Sequence, residues 1–248
     1  MDSTVIIVIL IGFSVLSYLY ASVGHGGASG YIALFILLGF SPQEIKVPVL
    51  ILNILVASVS AIQFTVKGYF QWKPFLRLII LSVPLAYLGS KFGIQEKWIS
   101  LLLMLFLWYS AWVLWRGEAY WKFPVQSTGG LMFIGGMLGW LSGMLGIGGG
   151  ILLTPILMAS KWGNSKEVSA QSAWFIVVNS LGGLAAISIP EIQQQIQPFW
   201  MTFPLILIFG YLGARWGSLK GNEMQLKKIM ALVLALASLK LLFQTIGF

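Results

Sequence analysis

The chain has 248 residues, 58 % of them hydrophobic and only 9 % charged. A soluble domain carries about 25 % charged residues, so a water-soluble fold is excluded and an all-α polytopic membrane protein is expected. The 15 Lys and Arg against 7 Asp and Glu are spread mostly through the connectors and segment ends, which membrane orientation explains better than a nucleic-acid surface; without cysteine, disulfides, thiolate nucleophiles and cysteine metal sites are excluded.

A helical membrane crossing needs ~20 apolar residues. The sequence predicts apolar helical pieces over 4–23, 28–40, 46–66, 74–92 and 97–115. A polar, aromatic connector, 116–126, separates these from a second set over 129–145, 149–160, 168–189, 198–217 and 225–246. The first piece lacks the basic start of a signal peptide and is expected to be retained.

Two glycine-dense breaks interrupt this apolar background: Gly24, His25, Gly26, Gly27, Ala28, Ser29 and Gly30 after the first piece, and Gly146, Ile147, Gly148, Gly149 and Gly150 after the sixth. Glycine inside a helix costs roughly 1 kcal/mol relative to alanine, so its concentration at two matching places needs a reason. One reason is close helix packing through small residues. The other is a broken helix whose freed amides face a solute.

The halves match residue by residue. Pro74-Phe75 matches Pro198-Phe199, and Tyr87-Leu88-Gly89-Ser90-Lys91-Phe92-Gly93 matches Tyr211-Leu212-Gly213-Ala214-Arg215-Trp216-Gly217, both displaced by 124. Gly24 and Gly146 are displaced by 122, and Asn53 and Asn179 by 126. An internal duplication follows, with a first repeat over 1–122 and a second over 123–248. If each break folds back as a hairpin, eleven basic residues gather on one face and three on the other, with Lys240 left inside the last helix. If every short piece crosses, the division is nine against five. The sharper asymmetry selects the hairpin, with the central connector in the cytoplasm and both termini outside. Each repeat is then a glycine-broken helical hairpin followed by three transmembrane helices. That odd number of crossings makes the two repeats inverted relative to each other.

In inverted repeats the two breaks meet near the bilayer midplane. The helices starting after them direct unsatisfied N–H groups and the positive ends of their dipoles at a shared solute. That arrangement attracts an anion, and glycine lets the ligand approach the amides. No Lys or Arg is expected at this depth; Arg77, one turn after Pro74, reads as an interfacial anchor. Backbone amides, hydroxyls and carboxamides are therefore the expected donors. The candidate set is Gly24, His25, Gly26, Gly27, Ala28, Ser29, Asn53, Gly146, Gly148, Gly149, Gly150, Gln171, Ser172 and Asn179. For the two asparagines, lining a site and bonding between helices remain open alternatives.

His25 is the only histidine. Alone it makes no metal site, and neither a metal nor any other cofactor is expected. It either bonds a carbonyl freed by the break or acts as a proton-linked switch, its unperturbed pKa being ~6.5. The run Gly146–Gly150 lacks the strand, glycine phase and acidic residue of a dinucleotide fingerprint. No acid, base and nucleophile are grouped in the spans, so an enzyme is not expected. Tryptophans near the segment ends, such as Trp72, Trp98, Trp115 and Trp200, read as an interfacial belt.

Two copies of an apolar helix, a glycine break, a short helix and a polar-lined helix resemble the TauE/SafE sulfite exporter family of membrane permeases. The residues carrying the resemblance are Val23-Gly24-His25-Gly26-Gly27 and Gly143-Met144-Leu145-Gly146-Ile147-Gly148-Gly149-Gly150, followed by Thr154-Pro155. The resemblance implies a secondary transporter in the bacterial cytoplasmic membrane. Its solute would be a small sulfur-containing anion such as sulfite, thiosulfate or an organosulfonate. A coupled proton or ion and a homodimer are compatible with it, and a channel for a small solute built on paired half-helices is the alternative.

Overall fold

A computed structural model describes residues 3–92, 95–116, 127–160, 162–219 and 224–246. Among these, every regular element is helical, as the absence of water in a bilayer core requires of a spanning chain. The helices are α1 (Ser3–Ser22), α2 (Ala28–Leu37), α3 (Pro42–Val66), α4 (Trp72–Lys91), α5 (Glu96–Arg116) and α6 (Thr128–Leu145). They continue with α7 (Gly150–Ala159), α8 (Ser165–Leu184), α9 (Ile189–Ile196), α10 (Phe203–Leu219) and α11 (Met224–Ile246). The proposed repeat boundary at 122/123 and Gly93 lie outside the described residues.

Among the described residues, five stretches are long and apolar enough to cross a membrane: α1, α3, α4, α6 and the run from α9 through α10. The protein is a multi-pass membrane protein. By contrast, α2 and α7 have 10 residues each, about 15 Å at 1.5 Å per residue, half of a bilayer core.

The first break turns the chain back on itself. Tyr20 bonds Ser29, Gly30 packs on Leu16 and Tyr20, the Phe13 ring meets Tyr31 and Phe35, and Gly12 faces Leu34. The residue number falls along α1 as it rises along α2, so α2 lies antiparallel against α1. Lys240, unexpected in an apolar helix, donates to the Leu37 carbonyl at 2.9 Å. Its ammonium thus meets the negative end of the α2 dipole.

At the centre, α3 packs against α8, with α4 on α8 and α10 on α3; α4 also packs along α6, α1 along α10 and α5 along α11. Both central helices begin with side-chain caps. Glu44 accepts from the Ser41 amide at 2.8 Å, and Asn164 accepts from the Lys166 and Glu167 amides at 3.0 Å each. These caps fix where each helix starts, and so which residues it turns toward the breaks.

The α4–α6 contact is backbone against backbone. Side chains built on Gly135, Gly139 and Gly143 of α6 would run into the carbonyls of Leu78, Ser82 and Ala86, and one on Gly89 of α4 into that of Trp140. The α1–α10 contact is built the same way, with Gly213 against the Tyr18 carbonyl and Gly217 against that of Ser22. Here the packing explanation for glycine holds.

One stretch departs from the expected pieces. The segment predicted over 168–189 ends at Leu184, and the chain makes the short helix α9 and a 3-10 turn, Gln197–Thr202, before α10. Ser188 at the cap and Pro190 in the first turn start α9, and no residue of it is buried.

Candidate functional site

The site is where both breaks meet the middle of α3 and α8. Asn53, midway along α3 and 1 % exposed, connects them. Its Oδ1 accepts from the Ala28 amide at 3.1 Å, the first amide of α2, and its Nδ2 donates to the Ile147 carbonyl at 3.2 Å, inside the second break. One carboxamide therefore caps the helix leaving the first break and holds the backbone of the second. Ile176, midway along α8, stands opposite. A side chain on either Gly26 or Gly148 would meet both Asn53 and Ile176. The two breaks are closed over this pair of side chains.

The break backbone uses conformations that other residues resist. Gly27 and Gly149, the caps of α2 and α7, have φ of 95° and 73°, left-handed values that cost an L side chain about 1–2 kcal/mol. Each turn swings the following helix so that its first amides point inward. Among the described residues, the amides of Gly26, Gly27, Ser29 and Gly30 at the first break and of Gly148, Gly149 and Gly150 at the second donate to no acceptor. Such amides, with the positive dipole end behind them, favour negative charge.

A second bridge runs through His25. Its Nδ1 lies 3.0 Å from the Val23 carbonyl and must carry the hydrogen there. Its Nε2 lies 3.0 Å from Thr154 Oγ1 on α7. The same hydroxyl is 3.0 Å from the Gly150 carbonyl and 2.8 Å from Ser172 Oγ. With one hydrogen and three neighbours, Thr154 donates to only one of them at a time. Ser169 Oγ donates to the Val23 carbonyl at 2.9 Å and packs its Cβ against Gly24.

The predicted residues divide accordingly. Gly24, His25, Gly26, Gly27, Ala28, Asn53, Gly148, Gly149, Gly150 and Ser172 come together at the breaks. Ser29 is turned back onto Tyr20 at 2.8 Å. Gly146 packs against Lys46 at the α3 end of the second break. Gln171 lies elsewhere: its Nε2 donates to the Gln71 carbonyl at 2.9 Å, at the start of α4. Asn179 is bonded to Ser82 of α4 and donates to the Phe175 carbonyl at 2.8 Å, so it joins helices.

The asparagine pairing by 126 also gives way. The α3 and α8 caps, Ser41/Glu44 and Asn164/Glu167, are displaced by 123, and the same displacement takes Asn53 to Ile176, the residue it faces across the breaks.

Ser142, Ser169, Ile176 and Ser180 are not among the sequence candidates, and Thr154 enters there only as part of the resemblance. On α8, residues 169, 172, 176 and 180 follow helical spacing and form the face toward the breaks. The spacing was readable, but nothing in single serines or an isoleucine distinguishes that face from any other.

The comparisons with known proteins point one way. Residues 8–241 match the family described as Sulfite exporter TauE/SafE. The chain is 31 % identical over 240 residues to the probable membrane transporter protein y4hK of Sinorhizobium fredii, covering 94 % of this chain and 96 % of the relative. No solved structure matches. This chain belongs to the TauE/SafE sulfite exporter family of membrane transporters, a transport family and not a catalytic one.

Proposed function

We propose that the protein moves a small sulfur-containing anion across the bacterial cytoplasmic membrane by alternating access of two inverted repeats, 1–122 and 123–248, with its termini outside. The observation that carries this reading is the Asn53 bridge: both glycine breaks, with their unbonded amides, stand around one side chain at the middle of the protein. A site of amides and hydroxyls without a fixed cation holds an anion loosely enough to release it, which a carrier requires.

The packing supports the duplication. Gly89 against Trp140 corresponds to Gly213 against Tyr18, and Gly24 against Ser169 to Gly146 against Lys46. Helices equivalent under the repeat exchange partners, α4–α6 for α10–α1 and α4–α8 for α10–α3. Closed breaks over Asn53 and Ile176 fit an occluded state between two openings. A channel would instead need the same point to stay open to both sides.

The test is a thermal-unfolding screen of purified protein with sulfite, thiosulfate, sulfate and an alkyl sulfonate. A ligand at 100 times its Kd stabilises by about 2.7 kcal/mol, so at least one sulfur anion is expected to raise the midpoint by several degrees while an alkylammonium ion of similar size does not. Reconstituted protein should then show saturable uptake and counterflow, and non-saturating flux would identify the channel instead.

Coupling to protons would act at His25. When neutral, its Nε2 accepts from Thr154; when protonated, it donates, and the Thr154 hydroxyl turns to the Gly150 carbonyl already 3.0 Å away. The added positive charge favours an anion at the breaks, so uptake is expected to rise as pH falls. Other ionisable groups on the surrounding helices are Tyr18 and Tyr20 on α1, Tyr31 on α2, Glu44 and Lys46 early in α3, and Lys166 and Glu167 at the start of α8, with none on α7. Uptake of thiosulfate, whose charge does not change in the range, should not vary with pH in His25→Asn over about pH 5.5–7.5; a parallel pH profile in both proteins rejects this role.

A further inference from the structure

We infer that the two breaks are not equivalent, and that the transported anion is a single oxyanion bound at the second break, on the amides of Gly148, Gly149 and Gly150 and the hydroxyls of Ser142 and Ser180. The inference rests on the transport reading above and assigns its solute to one half of the site.

At the first break a side-chain acceptor of the protein's own stands in front of the helix, although the amides of Gly26, Gly27, Ser29 and Gly30 are unbonded there too. The Asn53 Oδ1, a partly negative oxygen, receives the first amide of α2, as an oxyanion oxygen would, and the nearby Ser29 hydroxyl is held by Tyr20. At the second break the same carboxamide presents its other end, donating to the Ile147 carbonyl. The amides that open α7 are left without an acceptor among the described residues.

Two hydroxyls accompany those amides. Ser180 and Ser142 are fully buried, and neither Oγ has a hydrogen-bond partner. Ser180 Oγ lies 2.9 Å from the point where a Cβ on Gly148 would stand, and the Ser142 Cβ 3.4 Å from the corresponding point on Gly149. Buried hydroxyls in lipid-embedded proteins almost always find a carbonyl, as Ser14, Ser17 and Ser22 do on α1. Two unpartnered ones beside unbonded amides supply donors from α6 and α8 to a ligand seated on α7. Repeat displacements of 122 for α6 and 123 for α8 give Tyr20 and Ala57 as their first-break counterparts; the first break instead has, among the described residues, one buried hydroxyl without a partner, Tyr31, whose oxygen lies 3.2 Å from the point where a Cβ on Gly27 would stand.

Donors converging from three helices suit an anion with several oxygens, such as sulfite or thiosulfate, over a spherical halide. One anion per chain is expected, because Asn53 Oδ1 already occupies the space in front of the α2 amides.

The experiment is isothermal titration of purified full-length protein with sulfite and, separately, with chloride. Wild type is expected to bind one sulfite per chain and chloride far more weakly. Ser142→Ala and Ser180→Ala should each raise the sulfite Kd about tenfold, the loss of roughly one hydrogen bond to a charged group, while Ser110→Ala, a buried serine on α5, leaves it unchanged. Both substitutions remove atoms without adding any, and size-exclusion profiles matching wild type establish that the variants are folded. Unchanged sulfite affinity in Ser142→Ala and Ser180→Ala, or two sulfites per chain, overturns this assignment and leaves the transport reading standing. Failure of wild type to bind any sulfur oxyanion overturns both.

Discussion

Replacing Gly26 with valine is expected to abolish transport while the protein still inserts and purifies as a folded species. The first atom of the new side chain would fall on the Asn53 carboxamide and close to Ile176. Asn53 would have to move, and its bonds to the Ala28 amide and the Ile147 carbonyl break together. Each buried group left unpaired costs about 1–3 kcal/mol, enough to shift the balance between states that a carrier must visit in turn. The surrounding helices have their own contacts, so the loss falls on the site. Asn53→Ala tests the same bridge without adding bulk and should reduce transport at least tenfold with a lowered unfolding midpoint. Asn53→Asp keeps an acceptor for Ala28 but sets a carboxylate beside the Ile147 carbonyl and where the solute's charge would come. It should lose uptake through repulsion. Normal uptake by Gly26→Val, measured in proteoliposomes at matched protein density, would remove the breaks from the transport path.

Much of this site was legible in the sequence because glycine is conspicuous in apolar surroundings. The two breaks, the helices flanking them and the half-length of α2 and α7 all follow from composition and spacing. The partners of the breaks did not follow. Asn53 and Asn179 were matched by residue type, whereas the structure aligns helices by register, and the capping residues that set it stand nine and twelve positions before Asn53 but twelve and fifteen before Asn179. A three-residue difference turns a helix by nearly a full turn, so Asn179 faces the same general side as Ile176 yet sits a level further along, where it meets Ser82 of α4. Gln171 misled for a related reason: one position from Ser172, it points about 100° away, to the start of α4. The exit from α8 was misread because Ile187, Ile189 and Ile192 prolong the apolar run through Ser188-Ile189-Pro190-Glu191, which carries the cap and proline that begin a new helix.

Gly143→Leu, in contrast to the change at Gly26, is expected to prevent folding altogether. Gly135, Gly139 and Gly143 recur every four residues on α6, and each lies on a carbonyl of α4. A backbone carbonyl cannot turn aside as a side chain can, so the added group separates the helices over their whole contact and uncovers Gly183 of α8, packed beside Gly143. In a membrane no hydrophobic force draws the helices back together; close van der Waals contact is most of what holds them. The expected loss exceeds about 4 kcal/mol, at the extreme of single substitutions. It should appear as aggregation on size exclusion and as little recoverable protein. Gly129→Leu, in the first turn of the same helix with nothing near its added side chain, should unfold within about a degree of wild type, since changes with no structural partner fall within about 0.5 kcal/mol. The two explanations for glycine that the sequence left open therefore belong to different residues: on α6 it brings helices into contact, and at the breaks it frees amides. A Gly143→Leu protein that folds but does not transport would mean that this close contact serves the site and not the fold.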